Sequence, residues 1–180
     1  MSEWAYLFKT GVALFAIVNP IGNLPVFISA TNQWSKRDKA HTANIVGITV
    51  FTVLAITTFF GNDILDFFSI SIPSFQVGGG ILILLMSINM MHGKQSHTRQ
   101  TPEEAQTMAD KSAIAIVPLS IPIYAGPGAI SSVIISADKS VNFIHQTSLL
   151  IPIAVVSLLV WVTLRLSSNI TQWLGTIGIN

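Results

Sequence analysis

One segment of this chain runs for 26 residues without a charge: SAIAIVPLSIPIYAGPGAISSVIISA, from Ser112 to Ala137. A helix rises ~1.5 Å per residue, and about 20 apolar residues cross the ~30 Å hydrocarbon core of a bilayer. The segment is therefore long enough to span a membrane. Four further uncharged runs, each of 23 to 27 residues, share this property: Thr10–Ser35, Ala40–Asn62, Phe67–Gly93 and Ser140–Leu164.

These runs predict five membrane-spanning helices and an all-α polytopic membrane protein. The first run has no basic segment before it and is of span length, so we interpret it as a span rather than a cleaved signal peptide. A sixth uncharged stretch covers Leu166–Asn180. The predicted spans are about Ala5–Thr31, Ala43–Phe60, Ser74–Met91, Ala113–Ala137 and Ser148–Leu166.

The composition argues against several classes of protein. Of the 180 residues, 51% are hydrophobic and 9% are charged, whereas a soluble domain carries roughly 25% charged residues. A net charge of +1 leaves no basic excess for nucleic acid, and the lack of cysteine excludes a disulfide frame and a thiolate nucleophile. The four histidines lack metal-ligand spacing, and no catalytic motif is present. We therefore expect neither an enzyme nor a resident metal or cofactor.

The basic residues predict the orientation of the spans. If five spans alternate, seven of the nine Lys and Arg residues fall on one side, and Lys9 and Lys139 fall on the other. Because basic residues concentrate in cytoplasmic loops, the N-terminus is predicted to be periplasmic and the loop at about 94–112 cytoplasmic. Capping signals also occur in the loops: Ser35 is predicted to cap, outside the membrane, the helix that contains the second span, and Thr101 to begin a short surface helix.

A short internal repeat relates the two halves of the chain. The twelve residues from Asn19 align without gaps on the twelve from Gly126, an offset of 107, and five positions are identical. The same offset carries the second span onto the fifth and the third span past Asn180. We therefore predict a single membrane domain of two inverted three-span repeats, at about 1–93 and 113–180, with the sixth span largely missing.

Helix-breaking residues are concentrated at membrane depth in the first and fourth spans. The first contains Asn19-Pro-Ile-Gly-Asn-Leu-Pro25, and the fourth contains Gly126-Pro-Gly128 after two further prolines. Asn or Gly at an N-cap followed by proline is a good helix start, so half-helices are predicted at Pro20–Thr31 and Pro127–Ala137. The N-terminus of a half-helix has partial positive charge and free N–H groups, which suit a carboxylate.

The two breaks are the candidate substrate site, because unpaired backbone survives in a membrane only inside protein or beside a polar cavity. No charged residue lies deep in a predicted span, which favours a substrate without net charge. The alternative is that the breakers only kink and pack helices, and Gly78–Gly80 would also serve packing. The candidate substrate-binding residues are Asn19, Pro20, Gly22, Asn23, Pro25, Gly126, Pro127, Gly128, Ser131 and Ser132.

Three segments resemble the MarC family of bacterial inner-membrane proteins, also called NAAT for neutral amino acid transporters. They are Asn19-Pro-Ile-Gly-Asn-Leu-Pro-Val-Phe27, Val77-Gly-Gly-Gly-Ile-Leu82 and the stretch from Ile116 to Ser131. The resemblance extends over essentially the whole chain. It implies six spans and, as in members described as transporters, small neutral amino acids such as alanine and glycine as substrates.

The residues and the resemblance together favour a secondary transporter with its site near the membrane midplane, between the two breaks. Its substrate would be a small zwitterion. The lipid bilayer would surround the protein, and no nucleic-acid partner is expected. Sodium, protons or no coupling ion are compatible with the sequence, and the oligomeric state is open. Two alternatives stay open as well: a passive pore, and a non-transporting structural or regulatory membrane protein.

Overall fold

The computed structural model describes residues 3–91, 108–140 and 142–175, and helices form all of the regular structure in those ranges. This confirms the prediction of an all-α protein. The elements are α1 (Glu3–Val18), α2 (Leu24–Ala30), α3 (Lys36–Phe67), α4 (Ile72–Met91), α5 (Met108–Ile114), a π-helical segment (Ala115–Tyr124), α6 (Pro127–Asp138), α7 (Phe143–Ser148) and α8 (Leu150–Gly175).

Two helical stretches are long and apolar enough to cross a membrane: α3, and Phe143–Ser167 from α7 and α8. A third candidate joins Lys111–Tyr124 to Pro127–Asp138 through a bend of 60°. These three correspond to the predicted second, fifth and fourth spans. The first predicted span is divided into α1 and α2, and the apolar part of α4 covers Ile72–Leu85. Within the described ranges, length and composition therefore support two of the five predicted spans, and a third if the bent pair is one span. The others stay predictions.

The core of the bundle lies where α3 packs against α8. The indole Nε1 of Trp161 donates a hydrogen bond to Asn44 Oδ1 at 2.7 Å, and a Cβ at Gly47 would lie 3.0 Å from Trp161 Cβ. A small residue on α3 thus lets the two helices approach closely, as is usual between membrane helices. The most buried apolar side chains extend this core to α1 and the π-helical segment: Leu14, Val18, Val46, Val50, Leu54, Leu119, Ile153, Val156, Val160 and Leu164.

Polar contacts fix the first turn of α3, which precedes the uncharged run of that helix. Ser35 Oγ accepts a hydrogen bond from the Asp38 N–H at 3.2 Å, which confirms the predicted cap. The Lys111 ammonium lies 2.7 Å from the Asp38 carboxylate and 5.6 Å from the centre of the Trp34 ring. The hydrogen bonds from Lys111 and Ser35 lower the pKa of Asp38. These contacts hold α5 against the start of α3.

Two long helical stretches begin at positions related by the sequence offset. The stretch of α3 begins at Lys36 after the extended Ser35, and that of α7 and α8 begins at Phe143 after the extended Asn142, 107 residues later. This agreement concerns where helices start; the inverted repeat and its two units stay predictions. The predicted surface-helix start at Thr101 and the final residues 176–180 lie outside the described residues.

Candidate functional site

The first break separates α1 from α2 at residues 19–23. Asn19 adopts the left-handed region with φ 46°, and its Oδ1 accepts the Gly22 N–H at 3.0 Å. The Asn23 N–H bonds the Asn19 carbonyl at 3.1 Å, which closes a single helical turn. Asn19 therefore caps a turn, as its position before Pro20 predicted, but the regular helix does not start there.

The predicted start of the first half-helix at Pro20 is wrong by four residues, since α2 begins at Leu24. The reason is the second proline. Pro25 has no N–H to give to the Ile21 carbonyl, so a regular helix cannot continue through it. That carbonyl instead accepts the Leu24 N–H at 3.1 Å. Pro25 lies in the first turn of α2, where its missing N–H costs nothing.

The side chain of Asn23, the second asparagine of the break, bonds a carbonyl that has lost its helical donor. In a continuous helix the Gly22 N–H would bond the Val18 carbonyl. Here the Gly22 N–H bonds the Asn19 side chain instead, so the Val18 carbonyl loses its helical donor. Asn23 Nδ2 donates to that carbonyl at 2.9 Å. The two asparagine side chains thus replace two of the hydrogen bonds that the helix loses where it breaks, those of the Gly22 N–H and the Val18 carbonyl.

The second break lies between the π-helical segment and α6. Gly126 is extended at φ −75° and ψ 174°, and α6 begins at Pro127, which confirms the predicted start. No side chain caps α6. Since Pro127 has no N–H and helix geometry gives the Gly128 and Ala129 N–H groups no intrahelical acceptor, these two donors remain at the break.

The π-helical segment distorts the chain before the second break. Val117 and Ile121 have extended backbone, with φ −129° and ψ 122° in the first and φ −126° and ψ 120° in the second. Each precedes a proline, which disfavours the α conformation in the residue before it. Bonds across five residues follow: the Ala125 N–H reaches the Ser120 carbonyl at 2.8 Å, and Ser120 Oγ reaches the Ala115 carbonyl at 2.7 Å.

The structure brings the two breaks together. The Tyr6 hydroxyl donates to the Ser136 carbonyl at 2.8 Å, and a Cβ at Gly128 would lie 3.2 Å from Ile17 Cγ2. These contacts set α1 antiparallel to α6, with the end of α1 beside the start of α6. Val18, Ala125 and Ala129 share one core cluster. The helix ends that adjoin the two breaks are therefore in contact, whereas a substrate site between the breaks stays a prediction.

The predicted site residues differ in how far they are exposed to solvent. Ser131 is buried against α4, where a Cβ at Gly79 would lie 2.8 Å from both its Cβ and Oγ. The prediction of a substrate role for these residues is not decided by their positions. Among them Pro20, Gly126, Gly128 and Ser131 are buried; Asn19, Asn23 and Ser132 are half-buried; Gly22, Pro25 and Pro127 are exposed.

A cavity of ≈ 380 Å³ opens between α4 and α6, one turn after the second break. Its lining includes Ser74, Gly79, Leu82 and Ser131, and none of residues 19–25 contributes to it. The cavity therefore adjoins α6 but does not connect the two breaks. Within the described ranges, no group of three or more His, Asp or Glu side chains is placed to hold a metal ion.

The segments around the breaks lie within a match that covers nearly the whole chain. A family profile described as MarC family integral membrane protein matches residues 4–180. The chain belongs to the MarC family. The resemblance noted in the sequence is thereby confirmed, and the protein is a helical integral membrane protein.

Relatives in this family come from bacteria and archaea. The chain is 36% identical over 178 residues to UPF0056 membrane protein YhcE of Escherichia coli K12, covering 99% of the chain and 83% of that relative. Identity is 32% with YvbG of Bacillus subtilis 168, at 98% and 84% coverage. It is 31% with MJ0972 of Methanocaldococcus jannaschii, at 94% and 74% coverage. These names describe membrane proteins and give no substrate. No solved structure matches significantly.

Sequence reasoning missed one buried polar residue of this MarC-family protein at the second break. Tyr124 is 1% exposed and ends the π-helical segment, two residues before Gly126. Its position in the middle of an uncharged run was an available signal, because tyrosine in membrane proteins concentrates at the interfaces. Within the described part, four buried side-chain atoms have no hydrogen-bond partner: Thr42 Oγ1, Asn62 Oδ1, Tyr124 OH and Ser157 Oγ.

Proposed function

We propose that this MarC-family protein is a secondary transporter of small neutral amino acids, such as alanine or glycine, in the bacterial inner membrane. One observation carries the proposal: the end of α1 and the start of α6, both broken, lie against each other inside the bundle. Broken helices that meet near the membrane midplane are the usual setting of substrate sites in secondary transporters.

Within this proposal, we assign the two ends of a zwitterion to different groups, guided by the hydrogen bonds at the breaks. The Gly22 N–H already bonds Asn19, so the carboxylate is assigned to the open N–H groups of Gly128 and Ala129. Asn23 donates its amide hydrogen to Val18 and keeps its Oδ1 as an acceptor for the ammonium. Ser131 and Ser132 follow one turn later on α6 and offer hydroxyls.

The proposal involves no catalysis and no nucleic-acid partner, and the lipid bilayer is the protein's surroundings. Coupling to sodium, coupling to protons and transport without a coupling ion are all compatible with the proposal. Since the predicted spans have no buried carboxylate, an ion would be bound by carbonyl and hydroxyl oxygens. A passive pore is the alternative within transport.

Counterflow of labelled L-alanine tests the proposal. Purified protein in liposomes preloaded with unlabelled L-alanine should take up labelled L-alanine transiently above its equilibrium level, because exchange requires a saturable site that opens to each side in turn. L-glutamate, which adds a net charge, is the matched control and should neither exchange nor compete. Uptake that only equilibrates would indicate a pore, and the absence of uptake above protein-free liposomes would overturn the proposal.

A non-transporting structural role is the second candidate, and one observation favours it. The side chains of Asn19 and Asn23 pair the Gly22 N–H and the Val18 carbonyl from within the chain, so these two groups of the first break need no ligand as a partner. The same counterflow experiment distinguishes the two functions, since a scaffold exchanges nothing.

The proposed orientation has its own test. The N-terminus is proposed to be periplasmic and the loop at about 94–112 cytoplasmic, from the distribution of Lys and Arg. Because the chain has no cysteine, Ser96→Cys and Ser140→Cys each provide a single thiol. In intact cells an impermeant maleimide should label Ser140→Cys only, and permeabilised cells should show both. Labelling of Ser96→Cys in intact cells would reverse the orientation.

A further inference from the structure

The Tyr124 hydroxyl is buried without a hydrogen-bond partner. Tyr124 is among the largest fully buried side chains, at 1% exposure, and the described part of the chain supplies no donor or acceptor to its OH. Tyrosine hydroxyls are usually paired when buried, and an unpaired one loses its bonds to water with nothing in return. Phenylalanine would fill the same space without this cost.

The hydroxyl of Tyr6, the other tyrosine of the chain, has a hydrogen-bond partner. Tyr6 also contacts α6, but it is only part-buried and its hydroxyl donates to the Ser136 carbonyl at 2.8 Å. Both tyrosines therefore lie in the α1, π-segment and α6 region, and only the one at the break lacks a partner. The two residues form a matched pair for experiment.

The position of Tyr124 links this hydroxyl to the second break. The residue lies at the end of the π-helical segment, directly before Ala125 and the extended Gly126, and shares a core cluster with Val18 of the first break. The backbone of Tyr124 thus adjoins the break between two helices that are bent by 60° relative to each other.

We infer that the Tyr124 hydroxyl is a substrate contact, donating a hydrogen bond to the carboxylate of the amino acid when it binds at the second break. This inference rests on the proposed function and adds a residue to that site. The carboxylate would receive the phenolic O–H in addition to the Gly128 and Ala129 N–H groups at the start of α6. A carboxylate would give the hydroxyl the hydrogen-bond partner that the described part of the chain does not supply.

The Tyr124→Phe variant tests the inference with two measurements. Its thermal unfolding midpoint in detergent should equal or exceed that of the wild type, because the variant removes an unpaired hydroxyl. Its half-saturating L-alanine concentration in counterflow should rise about tenfold or more, the usual loss for a hydrogen bond to a charged group. A purely structural tyrosine would not separate the two measurements in this way.

The Tyr6→Phe variant is the control and should show the opposite pattern. It loses the bond to Ser136, so its unfolding midpoint should fall while its half-saturating L-alanine concentration stays within twofold of the wild type. If Tyr124→Phe matches the wild type in counterflow, or unfolds at a lower temperature than the wild type, the inference is overturned and the proposed function stands. If the wild type shows no counterflow, both are overturned.

Discussion

Replacing Asn23 with leucine should lower the free energy of unfolding by about 1–3 kcal/mol, the usual cost of leaving a buried polar group unpaired. The Asn23 amide donates to the Val18 carbonyl at 2.9 Å, and that carbonyl has lost its helical donor because the Gly22 N–H bonds Asn19. Leucine has a similar shape to asparagine and cannot donate. Val18 is fully buried, so water cannot replace the bond.

The matched control is Asn32→Leu. Asn32 is exposed in the turn after α2, and its replacement should change the unfolding free energy by less than about 0.5 kcal/mol, as is usual for surface positions. Equilibrium unfolding by SDS titration in mixed micelles provides both values. Equal stability of the wild type and Asn23→Leu would mean that the Val18 carbonyl does not depend on Asn23, and the account of the first break would fail.

The fold class could be predicted because the charges are clustered. Uncharged runs of span length predict long helices without knowledge of the tertiary contacts, and the bounds of α4 follow those of the predicted third span to within two residues. The start at Pro127 could be predicted from the local sequence, since glycine at an N-cap followed by proline at the first helical position is a favourable helix start.

The first break shows where local reasoning was insufficient. Both Pro20 and Pro25 are compatible with a first helical turn, and the position of Asn19 before Pro20 favoured the earlier start. What decides the outcome is that a helix from Pro20 must pass Pro25, whose missing N–H interrupts it. Two helix-start signals five residues apart compete, and only the second leaves a continuous helix after it.

The unpaired hydroxyl of Tyr124 could not be predicted, because pairing depends on which groups the fold brings within reach. The sequence places the tyrosine beside Gly126 and Pro127 but gives no information on its neighbours in space. The π-helical geometry before it is likewise a product of two prolines and of packing against α3. Residues at the candidate site are thus visible in the sequence, whereas their hydrogen bonds are not.

The three consecutive glycines of α4 are identical in the sequence, but their surroundings in the fold differ. A Cβ at Gly79 would lie 2.8 Å from both Cβ and Oγ of Ser131 on α6, whereas a Cβ at Gly78 or Gly80 would meet nothing within 4 Å. The Ser131 Cβ is fixed to its backbone and cannot rotate away. Only Gly79 therefore has to be glycine for α4 to reach α6.

Gly79→Ala should accordingly destabilise the protein, whereas Gly78→Ala and Gly80→Ala should not. Alanine gains up to about 1 kcal/mol over glycine in a helix, and overpacking a tight contact costs about 1–3 kcal/mol. We expect Gly79→Ala to lose up to about 2 kcal/mol net after these opposing terms, and its neighbours to gain slightly. SDS titration of the three single variants provides the comparison, with identical chemistry at adjacent positions.

A second substitution tests whether Ser131 is the cause. In Gly79→Ala combined with Ser131→Gly, the small residue is moved from α4 to α6 and the contact regains its space. The loss due to Gly79→Ala should therefore be smaller in the Ser131→Gly background than in the wild type, because residues in direct contact are coupled. Equal losses in both backgrounds, or equal stability of all three alanine variants, would show that α4 does not pack on α6 through Gly79.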